Sequence, residues 1–167
     1  MSFKITQNNI IHMGVDVVVN AANTNLKMGS GVCGEIFAAS GVEELQEICN
    51  RFAPIKTGEA IITKGFNLLA KYIIHTAGPI YRKNDLIQND LLYSCYINSL
   101  NLAKANNCES IAFPLISSGS YGYPQKMALV IAKAAIEEWL LTNNMEVVLV
   151  LFDNDIFSLA QQILGHE

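Results

Sequence analysis

The sequence lacks the features that mark several large classes of protein. It has 11 Lys and Arg against 15 Asp and Glu, a formal net charge of -4, and no basic tract. Because binding to duplex nucleic acid depends on many Lys and Arg contacts to phosphates, we expect no duplex nucleic acid partner. No apolar run approaches the roughly 18 residues that a membrane-spanning helix needs, and the first residues hold no apolar signal segment. We therefore expect a cytoplasmic protein without a membrane partner.

Cysteine pairs are also lacking. The four cysteines lie far apart and form no CxxC pair: Cys33, Cys49, Cys95 and Cys108. This spacing argues against a disulfide framework and against a cysteine metal site, so we expect reduced thiols, no metal and no cofactor.

The 167 residues, of which 51% are hydrophobic, suit one domain spanning residues 1–167, which we expect to be monomeric. Strand and helix patterns alternate without a linker or a repeat in the order ββααββαβαβα, which predicts a three-layer α/β/α sandwich. Strands are expected at residues 3–6, 16–20, 60–63, 72–76, 110–113 and 147–152, and helices at residues 32–40, 42–52, 89–106, 124–142 and 154–164.

Residues 17–34 form the most informative segment. Three consecutive valines predict a strand that is covered on both faces. Asn20 and Asn23 follow at its carboxyl end, where open α/β sheets place their ligands. The backbone of the next turn can approach an anion closely at the start of a helix, because it contains Gly29, Gly31 and Gly34. With no basic tract available, this pattern predicts a phosphate held mostly by backbone dipoles.

Residues 117–124 (SSGSYGYP) form a second glycine-rich loop between a strand and a helix. Two such loops at strand ends can converge on one diphosphate. Glycines that serve only as turns explain either loop alone, but they explain the pair poorly.

The glycine spacing also matches the dinucleotide-binding pattern GxGxxG. In that pattern the first glycine directly follows the strand, and an acidic residue closes the next strand about 20 residues later. Here residues 21–28 intervene and a helical segment follows, so we disfavour an NAD-dependent oxidoreductase.

Along essentially its whole length the chain resembles the macro domain, an ADP-ribose-binding α/β module, and its MacroD-like branch in particular. The segments that carry the resemblance are residues 16–23 (DVVVNAAN, similar to VDAIVNAAN), the first loop at residues 29–34, residues 73–79 (IIHTAGP, similar to IHTVGP), the helical residues 94–100, and residues 111–124 with the second loop. The resemblance implies a central mixed, mostly parallel sheet.

The resemblance further implies ADP-ribose as the ligand, with adenine near Asn9, Ile10 and Phe152. The diphosphate would lie between the two loops, and the distal ribose would reach Asn23, Gly31 and the ring of Tyr121. The binding residues expected on this basis are Asn9, Ile10, Ala22, Asn23, Ser30, Gly31, Val32, Cys33, Gly34, Ser118, Gly119, Ser120, Tyr121, Gly122 and Phe152.

Two positions depart from the family pattern. Family members usually carry Gly-Asp-Ile-Thr where this chain has Asn8-Asn9-Ile10-Ile11, so a neutral amide replaces the aspartate that accepts from adenine. The MacroD-like hydrolases also place an aspartate, thought to orient or deprotonate the attacking water, where this chain has Cys33. A thiol binds water less well than a carboxylate, and a free cysteine is often simply a small buried hydrophobe.

The resemblance implies a hydrolase that removes ADP-ribose from mono-ADP-ribosylated protein, or the acetyl group from O-acetyl-ADP-ribose, through a positioned water. The residues expected to take part in catalysis are Asn20, Asn23, Cys33 and Tyr121. The alternative is a module that recognises ADP-ribose without turnover, which Cys33 favours. His75 lies inside an apolar strand, and we interpret it as a hydrogen-bonded core residue rather than a general base.

Overall fold

The computed structural model describes residues 2–165, which build a six-stranded sheet between two layers of helices. The strands are β1 (Ser2–Gln7), β2 (Val17–Ala22), β3 (Ala60–Lys64), β4 (Tyr72–Ala77), β5 (Ser110–Phe113) and β6 (Glu146–Leu151). The helices are α1 (Gly31–Ser40), α2 (Val42–Phe52), α3 (Gln88–Ala105), α4 (Gln125–Leu140) and α5 (Asn154–Leu164), with a short 3-10 helix at Ile10–His12.

The sheet order is β1-β6-β5-β2-β4-β3. All neighbouring strands pair in parallel, except that the edge strand β3 is antiparallel to β4. The expected order of elements and the mixed, mostly parallel sheet are therefore confirmed. Parallel pairing brings the carboxyl ends of β2, β5 and β6 to one edge of the sheet, and both glycine-rich loops start there.

Hydrophobic side chains cover both faces of the sheet. Val17 and Val19 of β2 face a core built with α3, α4 and α5, whereas Val18 faces a second core built with α1 and α2. All three valines are at most 1% exposed. An unbroken β-branched strand is the sequence signature of such two-sided burial.

Several element boundaries differ from the sequence-based expectations. Helix α4 begins at Gln125 rather than at Pro124, because Pro124 has extended backbone angles (φ -55°, ψ 129°) and caps the helix instead of opening it. Helix α1 begins one residue earlier than expected, at Gly31, whose φ of +59° turns the chain into the helix. The 3-10 helix after Asn9 was not expected.

The expected break between the first two helices is present. Gly41 separates α1 from α2 with a φ of +126°, a conformation that residues with a Cβ rarely adopt. Within residues 2–165, no helix is both long enough and apolar enough to cross a membrane. All four cysteines are buried as free thiols.

A buried chain of polar side chains crosses three strands of the sheet. Asn20 on β2 and His75 on β4 are register partners, and Asn20 Nδ2 lies 3.1 Å from His75 Nδ1. Because an amide nitrogen only donates, His75 Nδ1 is the acceptor, and the Nε2–H then donates to Thr63 Oγ1 on β3 at 3.0 Å. Burial lowers the pKa of His75 to about 3, so the imidazole is neutral. The interpretation of His75 as a hydrogen-bonded core histidine is confirmed.

A second buried polar contact fixes the chain after β5. Tyr96 on α3 is fully buried, and its hydroxyl accepts a hydrogen bond from the Ile116 backbone N–H at 3.1 Å. Ile116 is fully buried too, directly before the second glycine-rich loop. The tyrosine hydroxyl therefore satisfies a backbone donor that the core would otherwise isolate from water.

We expect Tyr96→Phe to lower the free energy of unfolding by about 1–3 kcal/mol, because it leaves the Ile116 N–H buried without an acceptor. Urea denaturation of the wild type and the variant measures the difference. Equal midpoints and slopes would show that the hydroxyl adds nothing to stability.

We expect the stability of the protein to fall as the pH drops below about 6.5. Unfolded His75 takes up a proton near pH 6.5, whereas folded His75 stays neutral down to about pH 3, so the unfolded state is favoured in that window. Through this one group, the free energy of unfolding falls by up to about 1.4 kcal/mol for each pH unit.

Urea denaturation between pH 6.5 and 5 tests this dependence. His75→Gln, which cannot titrate, should show a shallower slope than the wild type. The same slope in wild type and His75→Gln would contradict the assignment.

Candidate functional site

A cleft of about 640 Å³ lies at the edge of the sheet where β2, β5 and β6 end. Its walls are the first loop with the start of α1, the second loop, and the segments after β1 and β6. A cavity of this size matches the usual range for sites that take up a small molecule.

Most of the residues expected to bind a ligand line this cleft. They are Phe152, Asn9, Ile10, Ser118, Gly119, Ser120, Tyr121, Ser30, Gly31, Val32, Cys33, Ala22 and Asn23. Gly34 and Gly122 do not line it, and both shape the loops instead. A Cβ on Gly34 would lie 2.5 Å from the Gly29 carbonyl oxygen, and Gly122 has a φ of +75°.

Asn20 is placed differently from the other expected catalytic residues. It is fully buried, lies outside the cleft lining and is hydrogen-bonded to His75. Its Nδ2 also lies 3.6 Å from the sulfur of Cys33, a lining residue. Its Oδ1 has no hydrogen-bond partner among the described residues.

The residues expected to bind a ligand did not include the rest of the lining, although Gly29 and Ser117 belong to the two predicted loops. The remaining lining residues are Asn8, Ala21, Gly29, Glu35, Pro114, Leu115, Ser117, Gln125, Val150, Leu151, Asp153 and Ile156. Most adjoin an assigned residue in the chain, so the signal available was proximity to the two loops. Glu35 had a signal of its own, because it lies one helical turn after Gly31.

Cys33 lies in the first turn of α1 and is 7% exposed. Its Sγ contacts Asn20 Nδ2 at 3.6 Å and the Lys27 carbonyl oxygen at 3.8 Å. Burial, followed by the facing Cys33, raises the pKa of Tyr121 above its usual value, so Tyr121 is a neutral phenol at pH 7. The first and second loops thus bring a thiol and a phenol towards the same space.

The amide of Asn23 is engaged within its own loop. Its Oδ1 accepts from the Lys27 backbone N–H at 3.0 Å, and its Nδ2 donates to the Lys27 carbonyl oxygen at 2.9 Å. An amide has four hydrogen-bonding positions, so one N–H and one lone pair of Asn23 remain for a ligand.

The second loop is held by backbone contacts. Ser117 has a left-handed φ of +67°, and its carbonyl accepts from the Tyr123 N–H at 2.9 Å. The Tyr121 carbonyl accepts from the Tyr81 N–H at 2.9 Å. Ser117 Oγ is buried without a hydrogen-bond partner among the described residues, at a position that lines the cleft. The hydroxyl lies against Gly78, which does not line the cleft.

The far end of the cleft combines an amide and an exposed ring. Asn9 caps the 3-10 helix, where its Oδ1 accepts from the Ile11 N–H at 3.2 Å. The second lone pair of that oxygen remains free to accept from a ligand. The side chain of Phe152, at the end of β6, is 68% exposed and provides a flat apolar surface.

The electrostatics of the cleft come from the backbone. Among residues 2–165, its lining contains no Lys or Arg, and its carboxylates are Glu35 and Asp153. Helices α1 and α4 both begin at the cleft, and neither has a side-chain cap on its first turn. Free N–H groups and the positive end of the helix dipole therefore face the cavity, an arrangement that suits an anion. Within the described part of the chain, no three His, Cys, Asp or Glu side chains cluster as metal ligands would.

Comparison with known proteins agrees with this architecture. The family model described as "Macro domain" matches residues 19–132. The chain is 38% identical over 168 residues to the O-acetyl-ADP-ribose deacetylase of Escherichia fergusonii, covering 98% of this chain and 95% of that protein. It is 49% identical over 140 residues to the ADP-ribose glycohydrolase MACROD2 of Mus musculus, covering 83% of this chain and 29% of that protein.

A solved structure of an Oceanobacillus iheyensis macrodomain mutant with ADPR superposes with a TM-score of 0.91 at 40% identity. The match covers 96% of this chain and 90% of that one. With its fold, its two loops and these relatives in agreement, the chain belongs to the macro domain family.

Proposed function

We propose that this protein binds ADP-ribose in the cleft and hydrolyses ADP-ribose conjugates there, as a cytoplasmic monomer that uses neither metal nor cofactor. Mono-ADP-ribosylated protein and O-acetyl-ADP-ribose are the substrates of this proposal. The observation that carries it is the meeting of two glycine-rich loops across one cleft, at which α1 begins without a side-chain cap on its first turn. The relatives named as a glycohydrolase and as a deacetylase support the same chemistry.

The cleft offers a different kind of partner to each part of ADP-ribose. The open N-terminus of α1 and the second loop suit the diphosphate, because their N–H groups can donate to its oxygens. Phe152 suits adenine through stacking, and Asn9 Oδ1 can accept from its amino group. At the opposite end, the free positions of the Asn23 amide suit ribose hydroxyls.

Hydrolysis of a mono-ADP-ribosylated protein requires a water beside the anomeric carbon of the distal ribose. As the water oxygen bonds to that carbon, the bond from the carbon to the acceptor breaks, and the proton that the water loses passes to the departing acceptor. In the deacetylation of O-acetyl-ADP-ribose the water instead bonds to the acetyl carbonyl carbon, the ester bond breaks, and the proton passes to the departing ribose oxygen. Cys33 and Tyr121 line the cleft on the two loops, which supports a role for them in holding this water, and Glu35 is the carboxylate on the α1 side of the cleft. A held water and a fixed sugar supply proximity even with a weak base, and an ADP-ribose phosphate oxygen can help to orient the water.

The second candidate function is recognition of ADP-ribose without turnover, and the packing of Cys33 favours it. The sulfur contacts Asn20 Nδ2 and the Lys27 carbonyl oxygen. Sulfur is a weak acceptor, so a water at this thiol is held less firmly than at a carboxylate. A reader of this kind would keep the entire binding site and lack only the base.

We expect ADP-ribose to raise the melting temperature of the protein, because a ligand that binds only the native state stabilises it. Gly34→Ala should weaken that binding by about tenfold or more, since its Cβ would press against the Gly29 carbonyl oxygen and displace the first loop. Isothermal titration calorimetry measures both affinities.

Gly14→Ala is the matched control, because a Cβ at Gly14 meets no atom within 4 Å. The control should bind ADP-ribose like the wild type. No thermal shift and no heat of binding at millimolar ADP-ribose would refute the ADP-ribose site itself.

We expect the wild type to release ADP-ribose slowly from mono-ADP-ribosylated protein, and Cys33→Asp to raise the rate by about 10- to 100-fold. A carboxylate at this position can hold and deprotonate the water, a contribution typically worth about 10²–10⁴. Quantifying released ADP-ribose over time gives the rates.

Cys33→Asn is the control, because it has the shape of aspartate without its charge or basicity. Asn23→Ala should abolish release, since it removes the amide at the distal ribose. Binding without any release by the wild type would make the protein a reader, and an equal gain in Cys33→Asn would exclude a base at this position.

A further inference from the structure

Gln46 on α2 reaches across to the loop that carries Asn23. Its Oε1 accepts from the Met28 backbone N–H at 3.0 Å, and its Nε2 donates to the Leu26 carbonyl oxygen at 2.9 Å. One amide therefore holds the backbone on both sides of Lys27. Neither Gln46 nor its two backbone partners, Leu26 and Met28, line the cleft.

A second contact from the same helix supports this arrangement. Gln46 Nε2 also donates to Asn50 Oδ1 at 3.0 Å, and Asn50 Oδ1 accepts from Lys27 Nζ at 3.0 Å. Gln46 and Asn50 are one turn apart on α2, so both side chains face the loop. Together they hold Lys27 by its side chain and by both neighbouring peptide groups.

The loop needs this support because its conformation is strained. Leu26 has a left-handed φ of +53° and is only 1% exposed. A leucine in that conformation costs on the order of 1 kcal/mol, so the native shape persists only where neighbouring contacts enforce it.

The orientation of Asn23 depends on the same backbone. Both sides of the Asn23 amide are bonded to the N–H and the carbonyl of Lys27. A shift of Lys27 would therefore turn the Asn23 amide and move the chain that leads to Gly29, a lining residue. Gln46 controls Lys27 without touching the cleft.

We propose that Gln46 is a positioning residue that fixes Asn23 and Gly29 at the distal-ribose end of the cleft, and so sets the preference for ADP-ribose over ADP. The inference rests on the proposed ADP-ribose function. ADP has the adenosine and the diphosphate but no distal ribose, so it reports on the rest of the site alone.

The chemistry of the side chain explains why glutamine serves here. An amide accepts from Met28 and donates to Leu26 at the same time. A glutamate in its place can accept from Met28, but it loses the donor and brings a charge against the Leu26 carbonyl oxygen. A leucine of similar size loses both contacts.

The test compares binding of ADP-ribose and of ADP by calorimetry in the wild type, Gln46→Leu and Gln46→Glu. In both variants the Kd for ADP-ribose should rise about tenfold, as expected for the loss of one or two hydrogen bonds, while the Kd for ADP changes less than about twofold. The ratio of the two affinities is the readout that a merely structural role would not change.

Glu47→Ala is the matched control on the next residue of α2. Glu47 is exposed and, among the residues that the structure describes, pairs with Arg51 at the surface, so its removal should leave both affinities unchanged. Thermal unfolding identifies a variant that fails to fold. In that case Asn50→Ala, which removes only the companion contact, gives the same ratio test with a smaller change.

The outcomes separate this inference from the proposed function. If the wild type binds neither nucleotide, the proposed function fails before Gln46 is tested. If the wild type binds ADP-ribose but the Gln46 variants lose both nucleotides equally, or lose neither, the positioning role is overturned.

Discussion

The parallel pairing of β2 with β4 on one side and β5 on the other is the constraint on which the rest of the structure depends. It buries three valines on alternating faces and places Asn20 opposite His75. The same parallel pairing brings the carboxyl ends of β2 and β5 to one edge of the sheet, so the two glycine-rich loops emerge at the same edge. If β2 shifted by one residue against its neighbours, its side chains would turn to the opposite faces of the sheet. Asn20 would then face the core built with α3, α4 and α5, and the two loops would move apart.

The order of elements could be predicted because each segment carries its own period. Apolar runs of four to six residues alternate with helical patterns, and the break at Gly41 is visible in the sequence. Boundaries were less predictable, since they depend on backbone angles. Pro124 fits the first turn of a helix by its φ, but its ψ of 129° places it outside α4.

The residues in and around the cleft also differ in how well the sequence predicts them. Those on the two loops could be predicted, since glycine and asparagine after a strand have a recognisable chemistry. The hydrogen bonds of Gln46 and Asn20, which both lie outside the cleft lining, could not be predicted, because they depend on neighbours distant in sequence: α2 packing against the Leu26 loop, and β2 pairing with β4. A buried amide and a half-buried helical glutamine look ordinary until their hydrogen-bond partners are known.

Because no Lys or Arg of the described residues lines the cleft, the binding of an anion there should depend little on salt. When an anion binds to the fixed peptide dipoles at the starts of α1 and α4, no counterions are released from the protein. No mobile cationic side chain loses conformational entropy either. Affinity for a phosphorylated molecule should then vary little with ionic strength, because short-range donors in a partly enclosed space are screened weakly. Such a cavity selects by the fit of its donors rather than by the total charge of the molecule that enters it.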